Sequence, residues 1–376
     1  MLLHRIVAAA ALLAFVAPPV AAAADNCVAN LNDIVLPEIA LASNAAATAK
    51  ERIYILCPNT VFYIGEPGSG NGLNYTGGSL PLAIFNPNLS VLCGADGSVK
   101  NNCVLLGGDH QVLALSHDMM PSDLKAVYPD ASNFRLSGVT MRNAKDLAFS
   151  IASAGTDIHI QDCVFENHAG GSFVAYMDSP EAPIPVQRRR AADERPLQTT
   201  LTVSDAQPVI TITFDGCVFQ HNVALLSIVG AIGLVHTKLT SNTFSNNTVP
   251  DNDSGVGCLL WFTDGSGSIR NNCMYDNQYA LSNTLVNGGV FELIDNFAAD
   301  KSRYQTVGCD GYMFVAKADS LGNALDTGSF TCADYDSTEC VRSAVLETSG
   351  VGSVLAGTNV FVSSAALAGL VTMMLA

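Results

Sequence analysis

The chain has 376 residues, and its 18 basic and 34 acidic side chains give a formal net charge of −16. A negative surface repels nucleic acid and anionic membrane surfaces, so the charge argues against both as partners. Solubility is the simpler explanation of this charge, and a role in binding calcium or a cationic surface is the alternative.

Residues 1–24 have the layout of a secretory signal peptide. Arg5 precedes an apolar run that extends to Val16, and the small residues that end at Ala24 suit cleavage there. The run is too short to span a membrane well. We therefore expect an extracellular protein whose eleven cysteines meet an oxidising environment.

The cysteines have no C-x-x-C spacing, which argues against a zinc ribbon or a redox pair. Cys93 and Cys103 bracket a polar, turn-rich segment, and we predict a disulfide between them. We predict a second disulfide between Cys332 and Cys340 for the same reason. Because eleven is an odd number, at least one thiol stays free or bonds elsewhere.

Four N-x-S/T sequons fit a secretory route, and their asparagines would lie on surface turns if they were glycosylated. The sequon asparagines are Asn74, Asn88, Asn246 and Asn252.

The C-terminal segment, residues 350–376, is a hydrophobic GPI-type signal or a membrane anchor. Its last part, residues 360–376, is apolar or small and uncharged, and no basic residue follows. The small residue Ser349, followed by a short spacer rich in Gly, Ser and Thr, is our candidate for lipid attachment. A transmembrane helix is the alternative, although the basic flank that normally follows such a helix is missing.

Between these two signals the sequence predicts an all-β fold. Residues 36–50 are the best helical candidate, with Pro37 and Glu38 in the first turn, and this helix would cap one end of the domain. From residue 52 onwards, short β-branched or apolar runs alternate with Gly, Asn, Asp and Pro, which is typical of many closely spaced strands.

An internal repeat distinguishes between the possible all-β folds. Five eight-residue segments align without gaps: each begins with a large apolar residue, continues with a polar pair at a corner and carries Phe or Met five places on. The segments are residues 136–143, 160–167, 214–221, 239–246 and 269–276, and residues 293–297 begin a sixth. The period is about 24 residues once an insertion at 179–196 is removed, which predicts a solenoid of strands and turns.

The fourth position of this alignment forms a column of residues. Its members are Val139, Cys163, Cys217, Asn242, Asn272 and Asn296. Asparagines stacked at a turn can hydrogen-bond along the axis, because equivalent atoms of neighbouring strands lie about 4.8 Å apart. Cys163 and Cys217 either stack in this column or form a bridge.

The asparagine column and the V-x-F-x-N-type turn at residues 163–167 resemble the right-handed parallel β-helix proteins of the pectate-lyase-like group. The resemblance covers roughly residues 53–316 and implies a single-stranded right-handed parallel β-helix. The block at residues 55–62, with the cysteine-containing segments after it, is similar to the first coils of uncharacterised secreted β-helix proteins of algae and similar microbes.

These features predict the domain layout. The predicted parts are a signal peptide at 1–24, an N-terminal cap at 25–51, the parallel β-helix at 52–316 with its inserted loop at 179–196, a cysteine-containing cap and spacer at 317–349, and the hydrophobic signal at 350–376.

The resemblance implies chemistry on acidic polysaccharides, which uses either carboxylates that hold Ca²⁺ or paired Asp residues. Glycoside hydrolases of this fold carry Asn-Thr-Asp followed by Asp-Asp, and His-Gly with Arg-Ile-Lys. Neither set of motifs occurs in the chain, which argues against a hydrolase. Isolated aspartates near the repeat, such as Asp157 and Asp162, are explained by turn capping.

Asp109 and His110 are the candidate catalytic residues. They follow Gly107 and Gly108, and with the nearby His117 and Asp118 they form the densest group of His and Asp in the chain. They could pair a carboxylate with a base. A glycine turn between two strands is the favoured interpretation of this segment.

Asp251 and Asp253 resemble the start of a calcium loop, but the distal Glu of such loops is missing and the segment overlaps a sequon. A solvated turn is the favoured interpretation. We therefore expect no cofactor, and Ca²⁺ has no further support.

The sequence favours a cell-surface β-helix protein of the extracellular matrix or wall that is non-catalytic or binds carbohydrate. Its partners would be polysaccharides or wall glycans, and it would be held at the membrane through its C-terminus. One alternative is a polysaccharide lyase, hydrolase or epimerase that acts in the groove of the β-helix. The other is a purely structural coat protein.

Overall fold

A computed structural model describes residues 27–42, 48–68, 75–115, 129–180, 209–250, 257–287, 290–298, 312–315 and 329–334. All of them lie within one compact unit, Met1–Arg342.

The described elements are one α-helix, one short 3-10 helix and a long series of strands. The helices are α1 (Asn32–Leu41) and the 3-10 turn Val99–Asn101. The first strands are β1 (Arg52–Leu56), β2 (Val61–Tyr63), β3 (Glu66–Pro67), β4 (Tyr75–Thr76), β5 (Leu82–Ala83), β6 (Leu89–Cys93), β7 (Cys103–Leu106), β8 (His110–Ala114), β9 (Arg135–Ser137), β10 (Val139–Arg142), β11 (Leu147–Ile151), β12 (Gly155–Gln161), β13 (Val164–Glu166) and β14 (Phe173–Asp178). The later strands are β15 (Ile210–Asp215), β16 (Val218–Gln220), β17 (Ser227–Ile232), β18 (Val235–Thr240), β19 (Thr243–Ser245), β20 (Thr248–Val249), β21 (Cys258–Thr263), β22 (Ser266–Arg270), β23 (Cys273–Tyr275), β24 (Gln278–Tyr279), β25 (Ser282–Asn287), β26 (Val290–Ala298), β27 (Tyr312–Val315) and β28 (Ser329–Asp334).

Most strands belong to three parallel ladders, which the chain visits in turn. Ladder 1 contains β1, β6, β9, β12, β15, β18, β22, β26 and β28. Ladder 2 contains β2, β7, β10, β13, β16, β19, β23 and the end of β26. Ladder 3 contains β5, β8, β11, β14, β17, β21, β25 and β27. The fold is therefore all-β and predominantly parallel, as predicted, and it is compatible with a parallel β-helix.

We call each passage through the three ladders a rung, so that rung 1 contains β1, β2 and β5, and rung 8 contains β26 and β27. The first corner is the turn between ladders 1 and 2, and the second corner is the turn between ladders 2 and 3. β28 lies in the segment that the sequence predicts to be the C-terminal cap, and it pairs with β26.

The predicted repeat matches the observed register. Ile160 lies opposite Leu136 and Phe214, and the pairing continues through Leu239 and Ile269. The inward Phe and Met positions also pair rung by rung, from Met141 to Met274.

The inward phenylalanines form a stack inside the core. The ring centroid of Phe219 lies 4.4 Å from that of Phe165 and 4.8 Å from that of Phe244, and the three rings are nearly parallel. All three side chains are fully buried. Because a rung alone cannot bury such rings, each rung depends on its neighbours for its apolar core.

The first-corner column is the predicted asparagine column. The backbone N–H of Asn242 donates to Oδ1 of Asn272 at 2.9 Å, and the N–H of Asn272 donates to Oδ1 of Asn296 at 3.1 Å. The amide Nδ2 of Asn272 also donates to the carbonyl of Leu239 at 2.9 Å. The residue before each of the first five members has a positive φ, for example 55° at both Ser241 and Asn271, which turns the chain and points the next side chain inward.

Cys163 and Cys217 occupy the same column as buried free thiols, so they stack and are not bridged. The Sγ of Cys217 donates to the carbonyl of Ile160 at 3.3 Å, the bond that an asparagine amide makes in later rungs. Burial, with the adjacent Cys163 thiol, raises the pKa of the Cys217 thiol well above its usual range.

A second asparagine column, which the sequence analysis missed, lies at the second corner. Asn222, Asn247 and Asn277 repeat the same bonds: the Asn222 N–H donates to Oδ1 of Asn247 at 3.1 Å, and the Asn247 N–H to Oδ1 of Asn277 at 3.0 Å. His168 continues the column, and its Nδ1 accepts from the N–H of Ala144 at 2.9 Å. Burial lowers the pKa of His168 to about 3, so the ring is neutral.

The N-terminal helix caps rung 1, but its bounds differ from the prediction. It begins at Asn32 instead of residue 36 and ends at Leu41, and Pro37 lies inside it. Leu31, Ile34 and Val35 are fully buried, so packing against the first rung sets the start of the helix.

A buried carboxylate joins this helix to the strands. Glu38 is fully buried and accepts from Nε of Arg52 at 2.7 Å and from Nδ2 of Asn86 at 2.9 Å. The Tyr54 hydroxyl also donates to it at 3.1 Å. Burial and the neighbouring Glu38 carboxylate raise the pKa of Tyr54 to about 12. The carboxylate is therefore balanced by a charged partner, as a buried ion requires.

Two disulfides lie in the first rungs. The predicted Cys93–Cys103 bond is confirmed, with Cα atoms 5.6 Å apart, and a second bond joins Cys27 to Cys57. Cys273 is also disulfide-bonded. The predicted Cys332–Cys340 pair lies outside the residues whose side chains are described.

Candidate functional site

The outer side of ladder 1 carries rows of polar side chains in register, and we call the surface formed by the two longest rows the polar face. One row contains Arg135, His159, Thr213, Lys238, Ser268 and Glu292. The other contains Ser137, Gln161, Asp215, Thr240 and Arg270. All of these residues are exposed or half-buried, whereas the residues between them along each strand point inward and are buried.

The outer sides of the other two ladders are more closed. On ladder 2, Val218 and Thr243 are 2% and 3% exposed, and Glu166 is held between Arg142 and the Gln220 amide, which donates to it at 2.9 Å. On ladder 3 the surface carries the aromatic side chains of Phe173, Tyr176 and Trp261.

Three aromatic rings stand on ladder 3. The Phe173 ring stacks between Tyr176 at 4.5 Å and Trp261 at 5.7 Å, and it lies over Gly230, where an added Cβ would come within 2.4 Å of the ring. The stacked rings shield one another's faces. Ladder 1 thus offers the largest set of accessible hydrogen-bonding groups among the described faces.

A β-bulge modifies the polar face in rung 4. The register between β12 and β15 shifts between Gly155 and Ile158, and Asp157 lies in this bulge with a φ of 58°. Its carboxylate accepts from Nε2 of His159 at 2.7 Å and lies 3.7 Å from the Arg135 guanidinium. The hydrogen bond from His159, and the charges of His159, Arg135 and Lys238, hold the pKa of Asp157 below its usual range. The bulge therefore adds a fixed carboxylate and an oriented imidazole to the face.

Lys238 lies two strands beyond His159 in the same row. It is exposed and has no ion-pair partner among the described residues. At the corner side of the face, burial and then the nearby Asp215 raise the pKa of Asp162. The polar face thus mixes both charges with neutral hydroxyl and amide groups.

The predicted candidates Asp109 and His110 lie at the second corner. As expected, they follow a glycine turn between two strands, with φ values of 76° at Gly107 and 74° at Gly108. An added Cβ at Gly108 would come within 2.5 Å of Ile64, so only glycine fits there. His110 faces Asp146, with Nε2 and Oδ2 3.8 Å apart.

The pKa of Asp109 depends more on Glu66 than on His110. Glu66 lies in the small hairpin of β3 and β4, and it accepts from Nζ of Lys145 at 2.6 Å. Burial raises the pKa of Asp109, and the Glu66 carboxylate, which shares a hydrogen bond with it, raises it further. The hydrogen bond from Lys145 lowers the pKa of Glu66. We call Glu66, Asp109, His110, Lys145 and Asp146 the corner cluster.

The corner cluster joins three successive rungs. The N–H of Asp146 donates to the carbonyl of Asp109 at 3.2 Å, which fixes the backbone of one rung against the next. Burial and the nearby Asp109 also raise the pKa of Tyr75 on β4. The opposite shifts of Asp109 and Glu66 make Asp109 the member of this pair that keeps its proton to higher pH.

Among the described residues, no group of three or more His, Cys, Asp or Glu side chains lies where it could hold a metal ion. The calcium-loop candidates Asp251 and Asp253 lie outside those residues, as do His117, Asp118 and the lipid-anchor candidate Ser349. Within the part of the chain that is described, no helix is long and apolar enough to cross a membrane.

Two of the four sequons are described. Asn246 is exposed at the second corner, and Asn88 is half-buried before β6. Asn74 and Asn252 lie outside the described residues.

No family model matches the chain, and no curated protein or solved structure matches it either.

Proposed function

We propose that this protein is an extracellular, non-catalytic glycan-binding protein that uses the polar face to hold polysaccharide of a matrix or cell wall. In this proposal the three ladders form a single-stranded right-handed parallel β-helix of the pectate-lyase-like kind, exported by residues 1–24 and held at the membrane through residues 350–376. The observation that carries the proposal is the pair of polar rows in register on ladder 1.

The geometry of these rows suits an extended chain of sugars. Strands of a parallel ladder repeat every ~4.8 Å, so a polymer that runs along the ladder meets a new set of side chains at each strand. The Thr213 hydroxyl and the Gln161 amide can both donate and accept hydrogen bonds with sugar hydroxyls, and the Lys238 ammonium group can donate to them. Because the stacked core holds the ladder in place, the backbone positions that present these groups are fixed before binding, which lowers the entropy cost of binding.

The corner cluster favours a second candidate function, a lyase, hydrolase or epimerase that acts on polysaccharide. Glu66 and Asp109 have pKa values shifted in opposite directions, and an acid and a base with separated pKa values are what proton transfer requires. The sequence motifs of such hydrolases do not occur in the chain, so the binding role is proposed first. A purely structural coat protein is the third candidate, and it predicts self-association without affinity for glycans.

A polysaccharide panel tests these candidates. We would express the full chain in a secretory host and score the exported product, held at the cell surface, for binding and for unsaturated or reducing-end products. The variant Lys238→Glu alters the polar face, and Lys100→Glu, an exposed lysine on the 3-10 turn, is a control with the same change of charge. We expect binding without product release, and we expect Lys238→Glu to weaken binding about tenfold, the effect of ~1.4 kcal/mol.

If products are released and Asp109→Asn abolishes their release, the enzymatic function replaces the binding function. Equal loss of binding in both lysine variants would show that net charge, not the polar face, governs binding. Self-association with no affinity for any glycan would leave the coat protein as the best account.

A further inference from the structure

The second corner presents a column of exposed residues with the same backbone geometry in five rungs. Their φ values lie between 54° and 59°, and all five are exposed. The residues are Asn143, Asn167, His221, Asn246 and Asp276. In the first four, the backbone N–H donates to a carbonyl of the next rung, for example from Asn246 to Tyr275 at 3.4 Å. The backbone therefore fixes these residues, while the next residue inward fills the buried column, and their own side chains point away from the core.

Asn246 is the member of this column that carries a sequon. Asn143 is followed two places on by Lys145 and Asn167 by Ala169, whereas Asn246 is followed by Thr248. The side-chain amide of Asn246 has no hydrogen-bond partner among the described residues. Its Nδ2 is therefore free to carry a substituent without loss of any bond that the fold uses.

Asn88 has a sequon as well, but its amide is part of the structure. Nδ2 of Asn88 donates to the carbonyl of Thr48 at 3.2 Å and to that of Ala49 at 3.4 Å, and Oδ1 accepts from Asn133 at 2.8 Å. Ser90, the hydroxyl residue of this sequon, is 5% exposed. A sugar on Nδ2 would have to enter between the strands and the segment that caps them, and it would break these contacts.

We propose that Asn246 is a site of N-linked glycosylation, and that Asn88 stays unmodified in the folded protein despite its sequon. The reaction needs a lipid-linked pyrophosphate oligosaccharide as donor. The bond from C1 of the first sugar to the pyrophosphate oxygen breaks, the bond from Nδ2 of Asn246 to C1 forms, and the amide proton leaves with the lipid pyrophosphate.

This inference rests on the secretory route in the proposed function, because such donors are met during export. It adds a direction to that function. The second corner lies between ladders 2 and 3, so an oligosaccharide on Asn246 extends away from the polar face of ladder 1. The attached glycan would shield β20 and β24 while leaving the polar face open to an external polysaccharide.

The test is site occupancy in the full chain secreted from a eukaryotic host. Glycans are removed by an amidase in heavy-oxygen water, which labels each asparagine that had carried one, and peptides are read by mass spectrometry. The matched control is Ala169→Thr, which completes a sequon at Asn167, the equivalent exposed corner residue of rung 4. A second variant, Asn246→Gln, removes the proposed site.

We expect label at Asn246 in most chains, at Asn167 in the control, and at Asn88 in almost none. Label at Asn88 in folded, secreted chains would overturn the distinction between the two sequons. Label at Asn167 without label at Asn246 would overturn the proposed site while leaving the secretory route intact. An absence of label at every sequon of exported chains, the control included, would overturn this inference, whereas failure of the chain to be exported would overturn the secretory route.

Discussion

The early and late rungs form the same corner turns with different side chains. In rungs 6 to 8 the first corner is filled by Asn242, Asn272 and Asn296, whose amides bond along the stack, whereas rungs 3 to 5 place Val139, Cys163 and Cys217 there. The residues before Val139, Cys163 and Cys217 still have a positive φ. The backbone corner therefore does not require asparagine, and the amide adds stability to a turn that forms without it.

The second corner shows the same division. Asn222, Asn247 and Asn277 bond along the late rungs, but the early positions are Ala144 and His168. Near these early positions the turns are held by the corner cluster, through the ion pair between Glu66 and Lys145. Stacked buried asparagine amides fill the corners of the late rungs, whereas aliphatic, thiol and imidazole side chains fill the equivalent positions of the early rungs.

The largest effect that separates the two halves should come from Asn272→Ala. This change removes the acceptor of two bonds from Asn242 and leaves the buried N–H of that residue without a partner. We expect a loss of about 3 kcal/mol in the free energy of unfolding, because buried donors without partners cost ~1–3 kcal/mol each. Chemical denaturation measures it, and Lys238→Ala on the exposed surface is the control. A loss below about 1 kcal/mol would show that the amide column contributes little.

A pair of exchanges sharpens the comparison. Asn242→Cys removes the Oδ1 that accepts from the N–H of Cys217 at 2.8 Å, and we expect it to cost about 2 kcal/mol. Cys217→Asn should change the free energy of unfolding by less than about 1 kcal/mol, because its new amide can reach the Ile160 carbonyl that the thiol now contacts. Equal costs for the two exchanges would contradict the view that the amide, and not the fit of the native side chain, stabilises this corner.

The smallest effect concerns the charged early corner. The pKa of Asp109 is raised in the folded state, so the group favours folding below its ordinary pKa of 3.8, and this contribution is lost as the pH rises through the raised value. Asp109→Asn removes the repulsion between the Asp109 and Glu66 carboxylates. We expect this change to stabilise the protein at pH 7 by about 0.5 kcal/mol or less. The gain should vanish in acid, where Asp109 is protonated. Thermal unfolding across pH measures it, and a gain that persists at low pH would point to packing instead of charge.

Much of the fold could be predicted from the sequence, because the repeat constrains the same positions in each rung. Leu136, Ile160 and Phe214 align in the sequence and pair in the structure. The second asparagine column was also present as a pattern, since Asn247 and Asn277 each follow a first-corner asparagine by five residues. The helix was misplaced because its position depends on which apolar residues reach the first rung, and helix propensity does not carry that information.

The candidate sites were harder to predict. Glu66, Asp109 and Lys145 are far apart in the chain, and they meet only because the turns of rungs 1 to 3 stack. The aligned repeat begins only in rung 3, so it does not predict this contact. The polar face has a similar cause. Alternation along one strand predicts which residues face outward, but it does not give the neighbours across the ladder that decide whether that surface is open or closed.

The amide columns also bear on how such a chain can change in length. Each asparagine bonds to its equivalent one rung away, at separations of 25, 30 and 24 residues along the chain, so the bond is indifferent to how many residues lie between. A duplicated or deleted rung would bring together two surfaces that already match, whereas the insertion or deletion of one residue inside a strand would turn the inward side chains beyond it outward. Length in this molecule can therefore vary in two ways without loss of the core, by whole rungs or by loops at the corners.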